Sequence, residues 1–225
     1  MSQTVEQITD DFLKSLEEHD IFQFNDERFT KKSLKIKEFL KRYKIISGSY
    51  VKISQSTEKQ EILTSDERMV FLYWNTMNIV NSTLELSKVF LSLLLDDSKI
   101  SFNDKTTYGT LIIKICNEIK YEQSYKDMLF DKLYVNFRNS LAHEDYDITK
   151  EGVFLYDGDK KIHLDYDGIN NAMEEVKCIL LSIQNFVNRK AAEFNKMAAE
   201  NEQKEQDLKA QIKDIDEQIS KLKKS

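Results

Sequence analysis

The chain contains no proline in 225 residues, and no other count narrows its folding options as much. Proline presets φ in tight turns and breaks helices, and sandwiches and barrels rely on it, with glycine, at their many turns. Glycine is scarce too. Its five copies at 48, 109, 152, 158 and 168 never cluster, so a phosphate-cradling loop of the Rossmann or P-loop kind is not expected. With 40% hydrophobic and 32% charged residues, the expected product is an all-α helical bundle with a substantial core.

Charge and cysteine usage restrict the function class. Lys and Arg number 33 against 39 Asp and Glu, a net charge of −6, which excludes a globally basic nucleic-acid coat but not a local basic face. Cys116 and Cys178 both fall in apolar helical patterns and read as small buried hydrophobes in a reducing compartment. The N-terminus MSQTVEQITDD has no apolar core of a signal peptide, and the apolar stretch 84–95 is interrupted by Glu85 and Lys88. A cytoplasmic protein without a membrane partner is expected.

Hydrophobic periodicity divides the chain into three regions: residues 1–60 with amphipathic and basic helices, 61–194 as the central helical domain, and 195–225 as a tail. Val5, Ile8, Phe12 and Leu16 recur at helical spacing over 4–18. A second helix over 28–46 sets Phe29, Ser33, Ile36, Leu40 and Tyr43 on one side, and Gly48 is expected to end it, with Ser49 to Glu61 extended. Its other faces hold eight basic residues against Glu38 alone, among them Lys35, Lys41 and Arg42. Such a face is either a solvated surface or a contact for an RNA backbone.

Thr64 followed by Glu67 is a capping box, predicting one long helix from there to Leu95. Trp74, with Tyr73 and Met77, reads as core. After a loop at 96–107 comes a helix over 108–121 burying Leu111, Ile112, Ile115 and Ile119. A further helix, capped by Ser124, carries the stripe Phe130, Leu133, Phe137 and Leu141. The period then changes: residues 153–164, around Asp157-Gly158, predict a small β-hairpin. From about Gly168 the pattern is helical to the end. Leu208, Ile212, Ile215, Ile219 and Leu222 alternate steps of four and three, a heptad seam that predicts a coiled-coil tail; a solvated single helix is the alternative.

The segment that carries chemistry is Arg138-Asn139-Ser140-Leu141-Ala142-His143, at the end of an apolar helix. Histidine moves protons near neutral pH, and the arginine fork grips phosphate oxygens while staying charged. Asn139 and His143, four apart, share one helix face. Arg138 and His143, five apart, lie about 140° apart around an ideal helix, so a single straight helix does not aim both at one atom. Either the helix loosens near Ala142, or the pair works across a symmetric dimer.

This RNSLAH segment resembles the signature of the HEPN superfamily (higher eukaryotes and prokaryotes nucleotide-binding domains): an Arg, four to six residues, then His, often with Asn directly after the Arg. The helix entry TYGTLI, Thr107 to Ile112, looks like the corresponding turn in several such families, and the resemblance covers roughly residues 60–190. It implies a HEPN-like helical bundle with two long central helices, and a metal-independent endoribonuclease working as a homodimer. Many bacterial relatives act as toxins or in phage defence. By position, His143 is the implied general acid/base, Arg138 stabilises charge building on phosphorus, and Asn139 orients His143 or the phosphate. Glu144 and Asp145 directly after the histidine, and Tyr146 three residues after it rather than two, depart from the family pattern.

Other function classes remain open: a non-catalytic HEPN-type RNA-binding or dimerisation module, regulating a partner protein such as an antitoxin, or a coiled-coil adaptor. His19 and His163 have no ligand partner at metal spacing and read as structural; no metal or other cofactor is expected. Lys35, Lys41 and Arg42 are the candidate RNA contacts.

Overall fold

The structure is a computed structural model and describes residues 4–19, 21–23, 26–55, 63–103, 105–121, 124–131, 140–141, 143–157 and 160–222. Helices α1 (Val5–Glu17), α2 (Asp26–Gln55), α3 (Ser65–Leu91), α4 (Tyr108–Ile119) and α5 (Ser124–Asp131) precede strands β1 (Tyr146–Thr149), β2 (Gly152–Asp157) and β3 (Lys160–Leu164). A final helix, α6, runs from Tyr166 to Leu222. The chain separates into two compact units, Met1–Val187 and Asn188–Ser225. The regional boundary expected at residue 60 falls inside the first unit, where α2 and α3 pack closely together.

Local sequence sets the helix starts. Thr4 accepts from the Gln7 N–H while the Gln7 side chain accepts from the Thr4 N–H, and Thr64 and Glu67 form the same reciprocal pair at α3. Thr107 caps α4 through the Thr110 N–H. Helix α3 is the centre of the first unit, in contact with α2, α4, β1 and β2. Its buried Thr76, Thr83 and Ser87 hydroxyls each donate to the carbonyl four residues back, at 2.7–2.9 Å, so a polar inward face carries no unpaired donor. The four expected apolar residues of α4 are all buried. Beside them Phe12 of α1 stacks on Tyr125 of α5 at 4.2 Å, and the Tyr125 and Tyr108 hydroxyls meet at 2.7 Å.

Several expectations are corrected by tertiary contacts. Helix α2 does not stop at Gly48 but continues to Gln55, because Tyr50 anchors the next turn on α6: its hydroxyl donates to Asn170 Oδ1 at 3.1 Å and lies 3.4 Å from the Tyr166 hydroxyl. Residues 56–62, the rest of the expected extended connection, lie outside the described residues. Leu40, assigned to the inward side of α2, is 46% exposed; Ile36, Phe39, Tyr43 and Ile46 are the more enclosed apolar residues.

Helix α3 ends at Leu91 rather than Leu95. The chain turns there, and Leu95 forms an antiparallel bridge with Phe22, flanked by bonds from Gln23 N–H to Leu94 O and Asp96 N–H to Ile21 O. Trp74 is 45% exposed, not core, whereas Tyr73 and Met77 are buried as expected. One residue moves the α-helical azimuth by about 100°, enough to separate neighbours 73 and 74. Cys178 is exposed as well; Cys116 is buried.

The hairpin is part of a three-stranded antiparallel sheet in the order β1-β2-β3. Val153 pairs with Leu164 and Asp157 with Lys160, and β1 adds Tyr146↔Leu155 through Thr149↔Gly152. Residues 158–159 of the expected Asp-Gly turn lie outside the described residues. Gly152 is buried with φ 148°; a Cβ there would lie 2.7 Å from His163 Nε2 and closer still to the Leu164 carbonyl oxygen. In the second unit, helical backbone continues through Leu222. Leu208 of the expected seam is exposed, and the side chains of the four seam residues beyond it lie outside the described ones.

Candidate functional site

Of the expected site only its C-terminal end is described. Ser140, Leu141 and His143 are helical, while Arg138, Asn139 and Ala142 lie outside the described residues, as do Leu133 and Phe137 of the apolar stripe. Ser140 is buried and His143 is exposed. Glu144 takes a left-handed conformation, φ 58°, and the Asp145 N–H donates back to the Ser140 carbonyl at 3.0 Å. A left-handed residue followed by a bond of this reach is a Schellman closure, which satisfies a terminal carbonyl and stops the helix one residue after His143.

The sheet takes over immediately. The Asp145 carbonyl accepts the Tyr156 N–H of β2 at 3.1 Å, and Tyr156 donates its hydroxyl to Asp147 Oδ2 at 2.6 Å. That bond, more than the Asp147 charge itself, holds the Tyr156 hydroxyl above its ordinary pKa. The β1–β2 turn is tied to the start of α3 by the Lys150–Asp66 ion pair at 3.3 Å. His143 thus sits in solvent on a turn with ordered supports behind it, with the Glu144 and Asp145 carboxylates also exposed.

The other histidines lie elsewhere. His163 is exposed on β3, where its ring stacks on Phe154 at 4.5 Å and Nε2 lies 3.2 Å from the Glu151 carbonyl. His19 follows the end of α1. Among the described residues no group of three or more His, Cys, Asp or Glu side chains could hold a metal ion, and no helix is long and apolar enough to cross a membrane.

The basic residues of α2 divide by role. Arg28 donates to the Leu95 carbonyl and pairs with Asp97; Lys32 donates to Ser92 Oγ at 2.7 Å and lies 4.6 Å from the centre of the Phe102 ring. Both cations therefore sit at the C-terminal end of α3, where carbonyls and the helix dipole favour positive charge. Lys35 is half-buried and lines a small recess with Lys32 and Lys88. Lys41 and Arg42 are exposed, Arg42 lying 5.8 Å from the centre of the Phe39 ring. Only these two of the three candidate RNA contacts stand fully in solvent.

A cleft that sequence reasoning missed opens between α2, α3 and α6, with a volume of about 310 Å³. Ile79 and Met173 are among its apolar lining residues, and Tyr50, Asn170, Glu174 and Lys177 are among its polar ones. Burial, then the bond to Tyr166, keeps the Tyr50 hydroxyl well above its ordinary pKa and hence protonated. No motif marks the cleft, because Tyr50 and Asn170, which meet in it, stand 120 residues apart in the chain. No protein-family model, no curated protein and no solved structure matches this chain.

Proposed function

We propose that this protein is a metal-independent endoribonuclease of HEPN type that cleaves RNA by attack of the 2′-hydroxyl, works as a homodimer, and acts as a toxin or phage-defence effector. The observation that carries the reading is the presentation of His143: an exposed imidazole on the closing turn of a helix, backed by hydrogen bonds into a sheet. A group that transfers protons must reach substrate, and the exposed His143 side chain can do so from a backbone turn closed by the Asp145–Ser140 bond. Arg138 would hold the charge developing on the phosphorane, and Asn139 would orient His143 or the phosphate. The RNA's own 2′-hydroxyl is already beside the phosphorus, so no metal-bound hydroxide is needed as nucleophile.

One observation favours a second reading, a non-catalytic RNA-binding or dimerisation module: exposed Glu144 and Asp145 follow His143, and their charge opposes an approaching phosphate. One experiment separates the two. The wild-type protein and His143→Ala are incubated with RNA in EDTA. Cleavage by the wild type alone supports the ribonuclease; intact RNA with both, in a protein that still binds RNA, supports the module.

A further inference from the structure

Helix α2 turns its inner side to α3 and carries aliphatic and cationic side chains together on its outer side. Leu34 and Ile45 are 60% and 62% exposed, and Lys31, Lys37, Lys41, Arg42, Lys44 and Lys52 are exposed around them. From residue 30 to residue 55 the only acid is Glu38. At about 100° per residue, Leu34, Lys41, Ile45 and Lys52 fall within about 40° of one another, on the outermost line of the helix. Lys37 and Lys44 follow one flank of that line, and Lys31 and Arg42 follow the other. At 1.5 Å per residue the line runs for about 27 Å. Leu40 and Val51, also exposed, lie just beyond Lys44 and extend the apolar character of that edge.

We propose that this face of α2 rests on an anionic lipid surface, its cations among the headgroups and Leu34 and Ile45 at the boundary with the acyl chains. A row of cations on a helix is attracted to anionic headgroups. The net charge of −6 does not prevent this, because salt at about 0.1 M screens charges beyond about 10 Å. Lysine suits the place: its stem follows apolar surface while its ammonium group stays with the headgroups. RNA would satisfy the cations and leave the aliphatic side chains in water. A protein partner would need a packed apolar centre. Leu34 and Ile45 form none, being about 16 Å apart along a ridge with Lys41 between them. A fluid interface takes each side chain separately and needs no matching shape. The contact is peripheral, it replaces the expectation of no membrane partner, and it does not depend on His143.

The full-length chain is sedimented with vesicles of phosphatidylcholine alone and with vesicles of equal parts phosphatidylcholine and phosphatidylserine. Binding to the mixed vesicles only, weakening as salt rises, is the expected result. Lys37→Gln/Lys44→Gln should weaken it about fivefold for each cation removed. Leu34→Gln/Ile45→Gln should also weaken it, while leaving the melting temperature and the affinity for RNA as in the wild type. If this aliphatic variant binds the mixed vesicles as the wild type does, the contact is charge alone and the proposal is overturned. It is equally overturned if RNA or polyglutamate is bound and the anionic vesicles are not. Running the series on His143→Ala keeps this test apart from the ribonuclease reading, since vesicle binding should persist there whether or not RNA cleavage is abolished.

Discussion

The backbone N–H of Asp145 donates to the carbonyl of Ser140 across 3.0 Å, and this bond closes the helix that carries His143. It requires Glu144 to sit at φ 58°, a region where a side chain with a Cβ is strained by roughly 1–2 kcal/mol and glycine is not. Glu144→Gly should therefore raise stability by about 0.5–1 kcal/mol, the relief of strain less the chain entropy that glycine brings. Chemical denaturation measures it. A drop in stability would mean that the Glu144 side chain contributes more than its backbone costs.

The proposed chemistry predicts its own product. Cleavage should persist in EDTA, leave a 2′,3′-cyclic phosphate on the upstream fragment, and spare DNA and RNA with a 2′-deoxy sugar at the cut site. His143→Ala should abolish cleavage while changing stability by less than ~1 kcal/mol, because an exposed side chain has little packing to lose. Mass spectrometry of the fragments, with a melting curve on the variant, checks both. Restoration of EDTA-inhibited activity by Mg²⁺ would refute the 2′-hydroxyl mechanism.

Charge removal on α2 should separate binding from stability. The double variant Lys41→Gln/Arg42→Gln should weaken RNA binding without affecting melting. The slope of log affinity against log salt should fall by about one for each phosphate that a cation no longer neutralises. Arg28→Gln should instead lower the melting temperature, since its partners are the Leu95 carbonyl and Asp97. Salt titrations beside thermal scans read the contrast; an unchanged slope returns Lys41 and Arg42 to solvated surface.

Two glycine-to-alanine substitutions should have opposite signs. At Gly48, in the middle of α2, an added Cβ meets nothing within 4 Å, so Gly48→Ala should stabilise by about 0.5–1 kcal/mol. At Gly152 the φ of 148° and the closeness of His163 and Leu164 make alanine both strained and crowded; destabilisation by more than ~2 kcal/mol is expected. Urea midpoints on the two variants suffice.

The two thiols should differ in reactivity. Cys178 is exposed, whereas Cys116 is enclosed and its thiol is pushed up to about 11, chiefly by burial. At pH 8 a disulfide reagent should modify one thiol in the native protein and two after denaturation, and Cys178→Ser should abolish the native reaction. Burial first, then Glu6, Glu174 and Glu175, raises the Cys178 thiol above its ordinary value, so its labelling should accelerate as pH rises. A raised folded pKa also means that the Cys116 contribution to stability, complete below about 9, is lost as pH climbs towards about 11.

The sequence by itself determined what rests on neighbours in the chain. The Thr64–Glu67 capping box and the buried stripe of α4 were legible because three or four residues contain the whole interaction. So was the pairing of β2 with β3, set by alternation on either side of a turn signal. The spacing of Arg138, Asn139 and His143 is likewise written in the chain, and of the three only His143 is among the described residues, exposed at the end of its helix.

Tertiary structure decided what depends on distant partners. Helix α2 passes through Gly48 because Tyr50 meets Asn170 and Tyr166 more than a hundred residues away. β1 was not legible because four residues are too few to show a period, and only pairing with β2 makes them a strand. The outward turn of Trp74 and Cys178 follows from which faces of α3 and α6 the neighbouring elements cover, which no periodicity states. The α2–α3–α6 cleft exists only once three segments far apart in sequence converge. Spacing of a few residues is written locally, whereas burial is a property of surfaces that meet.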